Sequence, residues 1–329
     1  MKSSENSHTS HISPVGDGKI TIAWETFGDA DDPPALLIMG LGGQLLSWQE
    51  GFCRQLADRG LFVVRFDNRD VGLSTHLDEV PLPDLAAIQG GDTSPAPYTL
   101  KEMASDAVSL IDALGMGSTH VIGASMGGMI GQVLAIEHPD RVRSLTSIMS
   151  TTGDPAVGQA TEEAFAQLTR PAARTREEMI DRRIQSHRIT GSPAFPTSEA
   201  ELRDRAEQAF DRNFDPAGGA RQFAAVLASP DRTADLAGVQ VPTLVIHGVA
   251  DPLIQVSGGH ATAAAIPNAE LLAIDGMGHD LPSQLWPQVI ERISTHIASA
   301  ERRQRSDLDR HAPAGRGRPP SETDERRVQ

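Results

Sequence analysis

THVIGASMGGMIGQVLAIEHP, residues 119 to 139, decides the fold of this chain. Its first six residues are an apolar run of strand length, and the residues after Ser125 have helix length and stop at Pro139. Between the two lies Gly123-Ala124-Ser125-Met126-Gly127, a G-x-S-x-G pattern. In a Gly-rich chain this pattern recurs by chance, so its context carries the weight. A strand that turns sharply into a helix at a serine lifts Oγ above the carboxyl edge of a sheet. A Cβ at either flanking glycine would meet the backbone of the neighbouring strand or helix, which accounts for the glycines.

Strands and helices alternate outward from this point. KITIAWETF (19 to 27) reads as an edge strand after the VGDG turn, and ALLIMG (35 to 40) as a strand buried on both faces. A short helix at 52 to 60 closes at Gly60, and LFVVRF (61 to 66) follows as a strand. The helix at 100 to 115 puts Leu100, Met103, Ala104, Ala107, Val108, Ile111 and Leu114 on one face. Strands at 144 to 149, 242 to 248 and 269 to 275 complete the set, before a final helix at about 283 to 299. Repeated βα units predict an α/β fold with a mostly parallel, doubly wound sheet. Residues 151 to 235 break the rhythm: they contain no strand pattern and several amphipathic helical segments. They are expected to form a helical cap inserted into a core of residues 14 to 150 and 236 to 299. Residues 1 to 13 and 300 to 329 are expected to be disordered termini, because neither can bury enough apolar surface to offset the entropy of ordering.

Composition narrows the function. Lys+Arg 29 against Asp+Glu 44 gives a net charge of −15, which disfavours nucleic acid and anionic membrane surfaces as partners. Cys53 is the single cysteine, so an intramolecular disulfide and any multi-cysteine metal site are excluded. No apolar run is long enough to span a bilayer, and the opening residues lack the apolar core of a secretory signal. A cytoplasmic protein is expected, with its oligomeric state left open.

A serine hydroxyl needs a base within hydrogen-bond range to act as a nucleophile near neutral pH. Among 11 histidines, His279 follows the last strand in AIDGMGHDLP and shares the carboxyl edge with Ser125. His247 lies inside a strand and reads as scaffold, while His138 and His260 sit on helices. The base in turn needs an acid to fix its tautomer. Asp251, just past PTLVIHG, is the first candidate; Asp154, after the preceding strand, is the alternative. The oxyanion of a tetrahedral intermediate would be held by two amides. Met126 N–H, immediately after the nucleophile, supplies one, and the loop Gly40-Leu41-Gly42-Gly43 supplies the other through Leu41. Gly40, Trp48, Phe165 and Phe210 are candidate walls of a substrate pocket, with core packing the competing reading. The cluster Asp67-Asn68-Arg69-Asp70 reads as a charge-paired strut beneath the site more readily than as a substrate contact.

MGLGG, RFDNRDVGLS, GASMG, HGVADPL and GMGHD, in this order, resemble the serine α/β-hydrolases, within them the bacterial carboxylesterases of the aclacinomycin methylesterase-like branch. The resemblance covers about residues 17 to 299 and is weakest over 151 to 235. It implies an eight-stranded sheet, no cofactor, a triad at Ser125, Asp251 and His279, and oxyanion amides at Leu41 and Met126. Met39 stands where the wider family often has His. Relatives with an Asp nucleophile are excluded by Ser125, and those using cap tyrosines by Tyr98 being the one tyrosine. The expected activity is hydrolysis of a small-molecule carboxylic ester through an acyl-serine. Lactone, thioester or carbon–carbon hydrolysis with the same triad is the alternative, and a ligand-binding receptor on this fold the more distant one.

Overall fold

The computed structural model describes residues 10–170 and 173–311. Its strands are β1 (His11–Val15), β2 (Ile20–Phe27), β3 (Pro34–Ile38), β4 (Phe62–Phe66), β5 (Thr119–Ala124), β6 (Val142–Ile148), β7 (Thr243–Gly248) and β8 (Glu270–Ile274). They form one sheet in the order β1-β2-β4-β3-β5-β6-β7-β8. The pairs β1/β2 and β2/β4 are antiparallel, and all others are parallel. The helices are α1 (Glu50–Ala57), α2 (Leu85–Gln89), α3 (Leu100–Ala113), α4 (Met126–Glu137), α5 (Glu162–Leu168), α6 (Arg176–Thr190), α7 (Glu199–Arg212), α8 (Pro216–Ala228), α9 (Thr233–Leu236), α10 (Ser257–Ala265) and α11 (Trp286–His311).

Strand periodicity sorts the core into two layers. Along β3, Leu36 and Ile38 join the cluster under α3 and α4, while Ala35 and Leu37 join the cluster under α1 and α11. All four are wholly buried, and truncating a leucine in such a setting costs about 2 to 5 kcal/mol. From β3 the chain moves to β4 on one side and to β5 on the other, so the winding direction reverses between β3 and β5. In open α/β sheets the crevice at such a reversal, on the carboxyl side, is where ligands bind. The helices α5 to α9 all lie between β6 and β7 in sequence. A separate small apolar cluster of Met179, Ile180, Ile184 and Ala206 holds α6 against α7.

Two expectations about the ends need correction. β2 is paired on both sides, and the edge strand is β1, which begins inside the stretch of residues 1 to 13 expected to be unpacked. HISPV pairs with β2 across a turn with Gly16 at φ 56° and Gly18 at φ 82°, and its one buried side chain, Val15, joins the core cluster under α3. Pro14, which lacks an N–H, is tolerated on an edge. At the other end α11 runs on to His311, well past 299. Ala, Glu, Arg and Gln favour helix continuation, and Glu301 is anchored by Arg143 at 3.1 Å and His120 at 3.2 Å. Residues 1–9 and 312–329 lie outside the described residues. Among the described residues no helix is long and apolar enough to cross a membrane.

Candidate active site

Ser125 sits at the β5–α4 junction with φ 55° and ψ −121°, a left-handed conformation rare for a residue with a side chain. The flanking glycines make that turn possible. A Cβ on Gly123 would run into the Gly127 carbonyl, and one on Gly127 into the Ile38 carbonyl oxygen of β3. The serine backbone is pinned by its N–H donating to Ile148 O at 2.9 Å and by Ser150 Oγ donating to its carbonyl at 2.9 Å.

Ser125 Oγ lies 3.0 Å from His279 Nε2, and His279 Nδ1 lies 2.7 Å from Asp251 Oδ2. The Asp251 side chain is wholly buried, and its Oδ1 accepts the Leu253 and Ile254 amides at 2.8 and 2.9 Å. These bonds hold the carboxylate on the imidazole. Asp154 is not part of this arrangement: its Oδ1 accepts the Ala156 amide of its own turn. His247 is wholly buried, bonds the Ile254 carbonyl at 2.7 Å, and is held below the ordinary histidine pKa range by burial.

The loop after β3 is braced from both sides. Asn68 Nδ2 donates to Met39 O at 2.9 Å, and Gln222 Oε1 of α8 accepts the Gly42 amide at 2.8 Å. A Cβ on Gly40 would fall 3.0 Å from Ser125 Cβ, so this loop abuts the nucleophile. Met126 opens α4, where the first amides have no partner within the helix. The turn at 67 to 70 is a strut. Asp67 accepts Leu45 N and Arg212, Arg69 forks onto Asp106 at 2.6 and 2.7 Å, and Asp70 binds Arg221 and Tyr98.

Of the pocket candidates, Gly40 and Phe210 lie near the loop after β3, and two others do not serve. Trp48 is 2% exposed and stacks on Phe52 at 5.5 Å, inside the core under α1 and α11. Its carbonyl accepts from the buried Arg65, which fixes it there. Phe165 is 39% exposed on α5 and does not line the cavity beside Gly42. Phe210 stacks on Phe214 at 4.8 Å and helps to wall a cavity that includes Gly42.

A clasp was not evident from the sequence. The segment at the end of α6 holds the loop carrying His279: Thr190 O accepts His279 N at 2.6 Å, Ser192 Oγ accepts Gly278 N at 2.9 Å, and Ala194 N donates to Gly276 O at 3.2 Å. Ser192 Oγ also donates to Asp280, whose carboxyl is raised by burial while Ser192 and His187 draw it back. No motif marks these residues. Gln222 had a fainter signal, as part of the polar pair Arg221-Gln222 inside the otherwise apolar stretch of α8.

Asp70, His76 and Asp215 have the spacing of a metal site. The Arg221 guanidinium bonds both Asp70 and Asp215, so a dication there would face a fixed positive charge. The cluster is an ion-pair network.

The family model for the alpha/beta hydrolase fold matches residues 33–283. The chain belongs to this family. It is similar to a rhodomycin D methylesterase, DauP, of Streptomyces sp. (strain C5), with 30% identity over 86% of this chain and 96% of that protein. It is also similar to 3-oxoadipate enol-lactonase 2 of Acinetobacter baylyi, with 27% identity over 78% and 85% of the two chains. Among solved structures, the esterase RhEst1 from Rhodococcus sp. ECU1013 overlays with a TM-score of 0.65 at 20% identity, covering 88% of this chain and 99% of that one. This last likeness is one of fold.

Proposed function

We propose that this alpha/beta hydrolase cleaves a carboxylic ester through an acyl-serine on Ser125. One observation carries the reading: a serine Oγ in a strained turn, 3.0 Å from an imidazole that is itself 2.7 Å from a buried carboxylate. His279 Nε2 takes the Ser125 proton as Oγ attacks the ester carbonyl. The Leu41 and Met126 amides receive the developing oxyanion, each such donor being worth about 10² to 10³ in rate. His279, now protonated and steadied by Asp251, gives the proton to the departing alcohol. Water then attacks the acyl-serine with His279 again as base, which returns Ser125 and releases the acid. Balanced in this way, the cycle uses no cofactor.

The methylesterase relatives support a methyl ester, with methanol as the alcohol released. The enol-lactonase relative supports a second reading, a lactone opened by the same attack with its alcohol still tethered. In either case α5 to α9 act as a cap that selects the acyl and alcohol groups.

Hydrolysis of p-nitrophenyl acetate by the purified chain, with covalent capture of Ser125 by a fluorophosphonate, is the direct test. Ser125→Ala should abolish both without loss of fold. Full activity in that variant overturns the proposal.

A further inference from the structure

α6 carries Arg183, His187 and Thr190 at i, i+4 and i+7, one face of the helix. All three look onto the carboxyl edge of the sheet. Thr190 meets His279, His187 lies 3.6 Å from Asp280, and Arg183 Nη2 lies 3.4 Å from the Gly42 carbonyl. Seven residues of helix rise separate Arg183 from Thr190, about 10 Å along the axis.

A cavity of about 180 Å³ opens at the Arg183 end of this face. Val71, Met179, Phe210 and Phe214 give it apolar walls, Gly42 gives it a backbone edge, and the Asp215 carboxylate, which also lines it, is held by Arg221 and His76. The loop from Gly42 to Gly40 leads from the cavity to the nucleophile, about 7.6 Å of Cα trace at most. Other charges nearby are already matched: Arg212 pairs with Asp67, and Arg221 with Asp70 and Asp215. Among the described residues no carboxylate pairs with Arg183. Arg183 is exposed, with its side chain on the open side of the cavity. A guanidinium at the mouth of an apolar-walled cavity, with no carboxylate on it, keeps its fork open to an incoming anion.

We propose that Arg183 and the Phe210–Phe214 wall form a subsite for the acidic end of an aromatic ester, with a carboxylate on Arg183 and the ester group at Ser125. This rests on the ester-hydrolase reading and narrows its substrate class to aromatic half-esters. The volume suits one aromatic ring, since a cavity of about 150 Å³ accepts benzene. The guanidinium fork matches a carboxylate geometrically, which an ammonium cannot reproduce.

The probes are monomethyl and dimethyl biphenyl-4,4′-dicarboxylate, with one ring for the cavity and the other for the stretch along the Gly42–Gly40 loop toward Ser125. The full chain should hydrolyse the monomethyl ester with a kcat/KM about tenfold or more above that for the dimethyl ester, the range expected of a charge-assisted bond. Arg183→Gln should bring the ratio near one, chiefly by raising KM for the monomethyl ester, and Arg183→Lys should keep part of the preference. Binding of both esters to the Ser125→Ala chain, followed calorimetrically, should show the same preference and its loss on adding Arg183→Gln. Equal ratios for the wild-type and Arg183→Gln chains, or equal binding of the two esters, overturn the subsite and leave the ester-hydrolase reading standing. Selective, Arg183-dependent binding without turnover of either ester would sink the ester-hydrolase reading alone. If Arg183→Gln fails to fold by circular dichroism, Arg183→Lys decides: an unchanged ester preference and unchanged binding there overturn the subsite.

Discussion

Asp251→Asn challenges the proposed proton path while changing almost nothing in shape. Asp251 Oδ1 accepts two backbone amides, from Leu253 at 2.8 Å and Ile254 at 2.9 Å, and Oδ2 faces His279 Nδ1 at 2.7 Å. In the variant, the amide oxygen must stay on the two backbone donors. Turning the NH₂ toward them breaks two hydrogen bonds and sets donor against donor in a buried site, at a cost of about 2 to 4 kcal/mol. The NH₂ therefore points at Nδ1, which must become an acceptor, and the ring proton moves to Nε2. A protonated Nε2 cannot take the proton from Ser125. The expected loss in kcat is about 10⁴-fold, or roughly 5 kcal/mol of barrier. Stability should change little, because the Leu253 and Ile254 amides keep their acceptor. Steady-state hydrolysis of p-nitrophenyl acetate with a parallel thermal melt measures both. A folded variant within tenfold of wild-type kcat would refute the tautomer argument and with it the role of Asp251.

Three further outcomes follow from particular contacts. Ser192→Ala removes the acceptor of Gly278 N and the donor to Asp280, so kcat should fall about 10- to 100-fold through a displaced imidazole. KM should hardly move, and Ser192→Thr should restore most of the rate; loss confined to KM would argue against positioning. Cys53 is wholly buried with its thiol pushed up to about 12 by burial, so it should resist Ellman's reagent at pH 8 in the native state and react on unfolding. Prompt native labelling would contradict its placement. His120 is held down to about 4 by burial, despite the opposing pull of Glu301. Its unfolded counterpart titrates near 6.5. Between those values the unfolded chain binds the extra proton, so stability is intact above about pH 6.5 and is lost as pH falls toward 4. His120→Gln should flatten that part of the denaturation profile; an unchanged slope would exclude His120 as its source.

The sheet was legible where one strand face or both had to be apolar. Residues 35 to 38 announce a doubly covered strand, and the turn at Ser125 announces itself by glycines that only backbone crowding demands. β1 was hard to read, because in HISPV only Val15 is buried in the core and the rest of the strand is held by main-chain bonds to β2. α11 overran its expected end for a related reason: a polar helix anchored by Glu301 looks like a solvated tail. In the site, Ser125, Asp251 and His279 could be nominated because each follows a strand at the same sheet edge. Arg183, Ser192 and Gln222 could not. They come from helices, or in the case of Ser192 from the segment just after α6, whose packing over the sheet sets what they touch, and no local spacing encodes that packing. Trp48 illustrates the converse: a position beside the loop after β3 says nothing about which way an indole turns.

The grip of the α6 terminus on residues 276 to 280 has a consequence for how such a molecule could open. Thr190, Ser192 and Ala194 are attached to the very loop that carries the imidazole, so a hinge lifting α6 away from the sheet would drag that loop or tear it free. Gaping wide for a bulky guest and keeping the base aimed at Ser125 are then incompatible. A guest has then to enter with α6 left seated, as the fixed jamb of the doorway.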